Sequence, residues 1–90
     1  MNLFLHVRKE YFDLIKSGKK TREYRKANDY WLKRLGSGNI ERVIICEGYP
    51  KKGDTDRILE FPWRGYTLTS VLHKEFGPDP IFSFAIKLER

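Results

Sequence analysis

One cysteine, two histidines and one methionine are all the soft metal ligands that this 90-residue chain holds. A lone Cys46 cannot form an intramolecular disulfide. With His6 and His73 as the only imidazoles, no cysteine-based zinc cage can be built. A metal site is therefore not expected, and nothing in the sequence calls for a cofactor. Long apolar runs are also missing. No stretch approaches the ~20 apolar residues that cross a bilayer, and Leu3 to Val7 is too short for a secretory leader and lacks a basic start. The expectation is a soluble, cytoplasmic protein.

Acids are scarce in one part of the chain only. Residues 8 to 34 hold ten Lys and Arg against four Asp and Glu, whereas the remainder holds eight of each sign. The whole formal charge of +6 thus resides in one third of the sequence. A segregated basic segment points to a polyanion such as nucleic acid or to a nucleotide. A solvated helix face is the plainer reading of the same charge. Forty per cent apolar and fourteen per cent aromatic residues exclude a disordered tail. A chain of this length buries only ~60–65% of the surface its unfolded form exposes, so residues 1–90 are expected to form one domain around one small core.

The periodicities order the elements. Leu3, Leu5 and Val7 alternate with Phe4 and His6, which predicts a first strand buried largely on both faces. Tyr11, Phe12 and Ile15 then share one helical face opposite Lys9, Glu10, Asp13 and Lys16, and Gly18 stands where a left-handed cap ends such a helix. Lys20 to Arg25 reads as a strand. Asn28 or Asp29 can cap a second short helix with Trp31, Leu32 and Leu35 on its apolar face, stopped by Gly36. The run Val43-Ile44-Ile45-Cys46 predicts a central strand. Leu59, Phe61 and Trp63 alternate, but Pro62 removes a donor and marks an edge. Tyr66 to Leu72 and Phe82 to Leu88 complete the set, the latter with the cleanest alternation. The fold class is α+β: about six strands and two short helices, with the sheet bent into a small barrel.

Chemistry concentrates at the corner between the first helix and the second strand. The spacing Gly18-x-Lys20-x-x-Glu23-x-Arg25 crowds cations around one carboxylate. Lys20 beside Lys19 and Arg22 would have a lowered pKa if desolvated, and would serve as base or nucleophile; fully charged, it would hold a phosphate. Arg25 offers a planar fork for a phosphate or a base edge, or a partner for Glu23. Glu23 can accept hydrogen bonds from a base, and Thr21 is a nucleophile only beside a working base. Regular pleating puts Lys20, Arg22 and Tyr24 on one face and Thr21, Glu23 and Arg25 on the other. A shared site therefore requires the glycine corner or a bulge to swing Lys20 round. Among the aromatics, Trp63 beside Pro62 at a turn is the first candidate for stacking a base, followed by Tyr24. His73 and Glu75 fall in the last long loop, where ligand contacts are common but a solvated histidine is commoner.

These residues resemble the ASCH domain, a branch of the PUA-like β-barrels. Its signature runs from an aromatic residue and an isoleucine through glycine, x, lysine, threonine, x, glutamate, x, arginine, and is matched here by Tyr11, Ile15, Gly18, Lys20, Thr21, Glu23 and Arg25. The resemblance is specific over roughly residues 5 to 26. It implies a barrel with a cleft that receives RNA or a nucleotide-like ligand. Some members are amidohydrolases acting on N4-acetylcytidine, in which the motif lysine works with a threonine and a distant glutamate. Lys20 stands at that lysine and Glu23 at that threonine; the distant glutamate belongs to a helical insertion that this chain lacks, and Glu75 is the nearest candidate for it.

Three functions follow as expectations. The first is an RNA- or nucleotide-binding domain whose ligand meets Lys19, Lys20, Arg22, Glu23, Tyr24, Arg25, Trp63 and His73. The second is a hydrolase of RNA or of an acylated nucleoside, with Lys20, Thr21 and Glu23 as its catalytic set. The third is an adaptor that docks an acidic protein surface.

Overall fold

The computed structural model describes residues 1–75 and 77–90. Six strands and two α-helices follow in the order β1 (Asn2–Val7), α1 (Lys9–Lys16), β2 (Arg22–Lys26), α2 (Asp29–Leu35), β3 (Arg42–Glu47), β4 (Ile58–Pro62), β5 (Tyr66–Val71) and β6 (Ile81–Lys87), with one 3₁₀ turn at Thr55–Arg57. The class is α+β, as the periodicities predict.

The strands do not close into one barrel. They form two three-stranded sheets, β1-β3-β4 and β2-β6-β5. β4 ends at Pro62, which has no N–H to extend a ladder, and the chain crosses to the second sheet through Trp63, Arg64 and Gly65. β1 and β3 are parallel, so the connection between them must cross over, and it carries α1, β2 and α2. The other three pairings are antiparallel.

One core joins the sheets. Leu3, Leu5, Val43 and Ile45 from the first meet Phe84 and Ile86 from the second, with Phe12 and Ile15 of α1 in the same cluster. Each such side chain contributes roughly 1.5–3 kcal/mol by leaving water. The central strands β3 and β6 are buried on both faces over Val43–Cys46 and Ser83–Ala85–Ile86. β1 is not. Its inner residues are buried while Phe4 remains 49% exposed and His6 is open, because burial on that face stops at the neighbouring Ile44 and Cys46 of β3. The expected two-faced burial of the first strand is thus corrected to one face, and His6 is left available to line a cleft. Leu32 likewise points outward from α2, at 56% exposure.

Both helix ends follow local chemistry. The side chain of Asn28 accepts a hydrogen bond from the Trp31 N–H at 3.0 Å and so caps α2. Gly18 adopts φ +82° after α1, a conformation that favours glycine. The reversed chain then lets the Lys20 N–H donate to the Leu14 carbonyl at 3.0 Å.

Candidate functional site

That back-bond sets the geometry of the site. β2 begins only at Arg22, so strand parity does not govern Lys20. Its ammonium turns toward the strand face that carries Glu23 and lies 3.8 Å from Glu23 Oε1. Glu23 and Arg25, at i and i+2, share that face by pleating. Arg25 Nη1 meets Glu23 Oε2 at 2.7 Å. The carboxylate is thus clamped between two cations. Arg25 is itself fixed: Nη2 donates to the His6 carbonyl at 3.2 Å, and the guanidinium lies 5.3 Å from the Trp31 ring centre. Its Nε is buried and has no hydrogen-bond partner among the described residues. Lys20 sits over the rings of Tyr24 at 4.8 Å and Tyr11 at 5.6 Å.

Burial dominates the proton affinities. Glu23 is only 5% exposed, and desolvation pushes its carboxyl above the ordinary value against the pull of Arg25, Lys20 and His73. Desolvation likewise pushes the Lys20 amine down; Glu23 opposes that and Arg25 adds to it. The 3.8 Å contact to Lys20 is too long for a hydrogen bond. Oε1 therefore keeps its capacity to accept one from a ligand, whereas Oε2 is engaged by Arg25.

Glu23 and Arg25 open onto a cleft of about 210 Å³. The end of β1 supplies His6 to one wall, and Arg8 and Tyr11 come from the start of α1. Tyr24 flanks the other side, and the loop after β5 contributes His73 and Glu75. That loop is latched to α1. Glu75 pairs with Arg8 at 3.2 Å and accepts from the Tyr11 hydroxyl at 3.3 Å, while Lys74 pairs with Glu10 at 3.1 Å. The His73 ring neighbours those of Tyr11 and Tyr24, with centroids 5.5 and 6.4 Å away. A second cleft of about 320 Å³ adjoins the first. It shares Tyr11 and Tyr24 and is lined otherwise by Leu14, Lys19, Lys20, Thr21 and Arg22.

Of the residues singled out by sequence, Lys20, Glu23 and Arg25 come together; Glu23 and Arg25 line the first cleft with Tyr24 and His73, whereas Lys20 lines the second. Lys19, Thr21 and Arg22 belong to the second cleft. Arg22 is paired there with Glu89 at 2.9 Å. Thr21 is exposed, and its carbonyl accepts from the Leu88 N–H and from Arg22 Nη1. Trp63 lines neither cleft: it packs against the core beside Tyr66, at 6.3 Å between ring centres. His6 and Arg8 enter the site without having been singled out. The polar position of His6 in an otherwise apolar strand was the available signal. Among the described residues no group of three or more His, Cys, Asp and Glu is placed to hold a metal ion. No described helix is long and apolar enough to cross a membrane.

No curated protein and no solved structure matches this sequence. A family model does: that of the ASCH domain, over residues 5–61. The match takes in β1 from Leu5 onward, the glycine corner, all of β2 and the Lys20–Glu23–Arg25 clamp. The chain belongs to the ASCH domain family.

Proposed function

We propose that the Glu23 cleft binds a base of single-stranded RNA or a nucleotide-like ligand. The observation that carries this reading is the buried Glu23 carboxylate, held by Arg25 at 2.7 Å and Lys20 at 3.8 Å, on a cleft that Tyr11, Tyr24 and His73 also line. A nucleobase combines what such a cleft can use: N–H donors for Oε1, a ring-nitrogen or carbonyl acceptor for a cation, and a flat face for an aromatic wall. The segregated charge of residues 8 to 34 would add the salt-dependent attraction of the phosphates. Membership of the ASCH family is consistent with RNA binding.

The test is binding of short single-stranded RNA across a salt series. Neutralising three phosphates would give a slope of log affinity against log salt of about −2. Lys20→Ala and Arg25→Ala should each weaken binding strongly. Affinity that ignores salt, or that survives both substitutions, rejects the reading.

A second reading is favoured by one specific observation, the desolvated Lys20 amine beside a carboxylate. In it Lys20 is the catalytic residue of a hydrolase acting on RNA or on an acylated nucleoside such as N4-acetylcytidine. Glu23 stands at the threonine position of the amidohydrolase branch, and Thr21 is exposed in the neighbouring cleft, so Glu23 would have to move the proton. Incubation with N4-acetylcytidine and with labelled RNA separates the readings. Turnover lost in Lys20→Ala assigns the hydrolase, and binding without turnover assigns the binding module.

A further inference from the structure

The two clefts differ in chemistry although they share a wall. The Glu23 cleft holds two carboxylates, Glu23 and Glu75, and suits a ligand part that donates hydrogen bonds. The second cleft holds Lys19, Lys20 and Arg22, with no acidic side chain among its lining residues. Lys19 makes no ion pair among the described residues. Arg22 spends one nitrogen: its bonds to Glu89 Oε1 and to the Thr21 carbonyl both leave from Nη1. Nη2 and Nε remain for a planar or tetrahedral anion. Lys20 belongs to both clefts in effect. It contacts Glu23 on one side, lines the second cleft on the other, and lies over the two tyrosine rings that both clefts share.

We propose that the two clefts form one composite site, in which the Glu23 cleft takes a base and the Lys19–Arg22 cleft takes the phosphate carried by the same nucleoside. The ligand class is then a nucleoside phosphate, free or within a strand, and not a nucleoside. This rests on the base-binding reading of the Glu23 cleft and adds to it a specificity determinant outside that cleft. Lys19 and Arg22 select for the phosphate. Tyr11 and Tyr24 form the ridge that the sugar crosses.

The experiment is calorimetric titration of the four common ribonucleosides, their 5′- and 3′-monophosphates, the corresponding dinucleoside monophosphates and inorganic phosphate. It is run on the unmodified protein and on the Lys19→Ala/Arg22→Ala double variant. The best nucleotide should bind about tenfold or more tightly than its own nucleoside, the return expected from one charge-assisted contact. The double variant should close that gap while leaving nucleoside affinity unchanged, which also shows that it is folded. A dinucleoside monophosphate that matches the mononucleotide supports the proposal with a strand as the source, and a preference for the monoester supports it with a free nucleotide. Equal affinity for nucleoside and nucleotide overturns the composite site and leaves base binding intact. Inorganic phosphate binding as tightly as the nucleotide overturns it too, since the second cleft is then an independent anion site. If no nucleoside, nucleotide or RNA binds, the base-binding reading falls and the composite site with it.

Discussion

Glu23 and Arg25 stand two residues apart on β2 and meet at 2.7 Å on the face of the second sheet that carries Ile86 and Phe84, their register partners on β6. A carboxylate facing a row of apolar neighbours would ordinarily be expelled to solvent or protonated. Here the strand's own next inward residue supplies the counter-charge, and the glycine corner supplies a second. Burial and pairing therefore act on Glu23 with opposite signs, and the net direction is measurable.

The pH dependence of stability reads that direction. The Glu23 carboxyl is pushed above its ordinary value of 4.5, chiefly by burial. Below that value the group is protonated folded and unfolded alike and no proton-linked term arises. As pH rises past it, the unfolded chain ionises first, so the folded state is progressively disfavoured until its own carboxyl has ionised too. The stability of the protein relative to Glu23→Gln should accordingly fall as pH climbs from 4.5, and then level off. Each tenfold difference in proton affinity is worth about 1.4 kcal/mol of that fall. Thermal melts of both proteins between about pH 3.5 and 8 test it. A difference that grows with pH means that Arg25 and Lys20 outweigh burial.

Lys20 makes the reciprocal prediction. Its amine is pushed below the ordinary 10.5 by burial, while the Glu23 charge pushes it up. In a protein carrying ¹³C-dimethylated lysines, the Lys20 signal should titrate below 10.5. In Glu23→Gln the same signal should move lower still, because the raising influence is gone and the desolvation and Arg25 remain. An upward move in the variant would show that the carboxylate does not govern the lysine.

Much of this site can be read from local sequence, and its limits have physical causes. Spacing names Lys20, Glu23 and Arg25, and the position of Gly18 announces the corner. Parity alone sets Lys20 on the wrong face, because pleating applies only once β2 starts at Arg22 and the Leu14 carbonyl holds the Lys20 N–H before that point. The run Val43–Cys46 is buried on both faces in the centre of its sheet, so its pattern speaks for itself. Trp63 shows the opposite limit. A tryptophan beside proline and near glycine has the composition of a binding turn, yet its environment is set by Tyr66 and a core assembled from distant segments. The wall made by Glu75 lies 64 residues from Tyr11 in sequence, and no local pattern encodes that meeting.

The two glycines that end the helices should fail for different reasons. Gly18 sits at φ +82° with open space where a Cβ would stand, so Gly18→Ala meets backbone strain alone. The cost is about 1–2 kcal/mol, or roughly 4–8 °C in Tm per kcal/mol for a domain of this size. Gly18→Asn should recover part of it, since asparagine tolerates the left-handed region. Gly36 has an ordinary φ of −85°, but a Cβ there would approach the Leu32 carbonyl oxygen at 2.9 Å. Gly36→Asn should therefore be no better than Gly36→Ala. Equal recovery by asparagine at both positions would refute the distinction. Because Gly18 aims Lys20, its variants should also weaken the RNA binding proposed for this cleft by more than their loss of stability explains, when measured well below Tm.

The loop that walls the Glu23 cleft is held by side chains on the exposed rim, and this separates local order from global stability. Glu75 pairs with Arg8 and accepts from Tyr11, and both contacts end on Oε1. Arg8 is 69% exposed in its side chain, so the pair is screened and contributes at most about 1 kcal/mol. Glu75→Ala should thus shift Tm by only a few degrees. Amide exchange at His73, Lys74 and Glu75 should accelerate several-fold, while exchange in β6 stays unchanged, because a latch governs local opening and the core governs global unfolding. Arg8→Ala should reproduce part of the effect and Tyr11→Phe another part, since each removes one of the two contacts. Exchange that is unchanged in Glu75→Ala would assign the loop's order instead to the Lys74–Glu10 pair and to the Glu75 N–H, which donates to His73 Nδ1 at 3.1 Å.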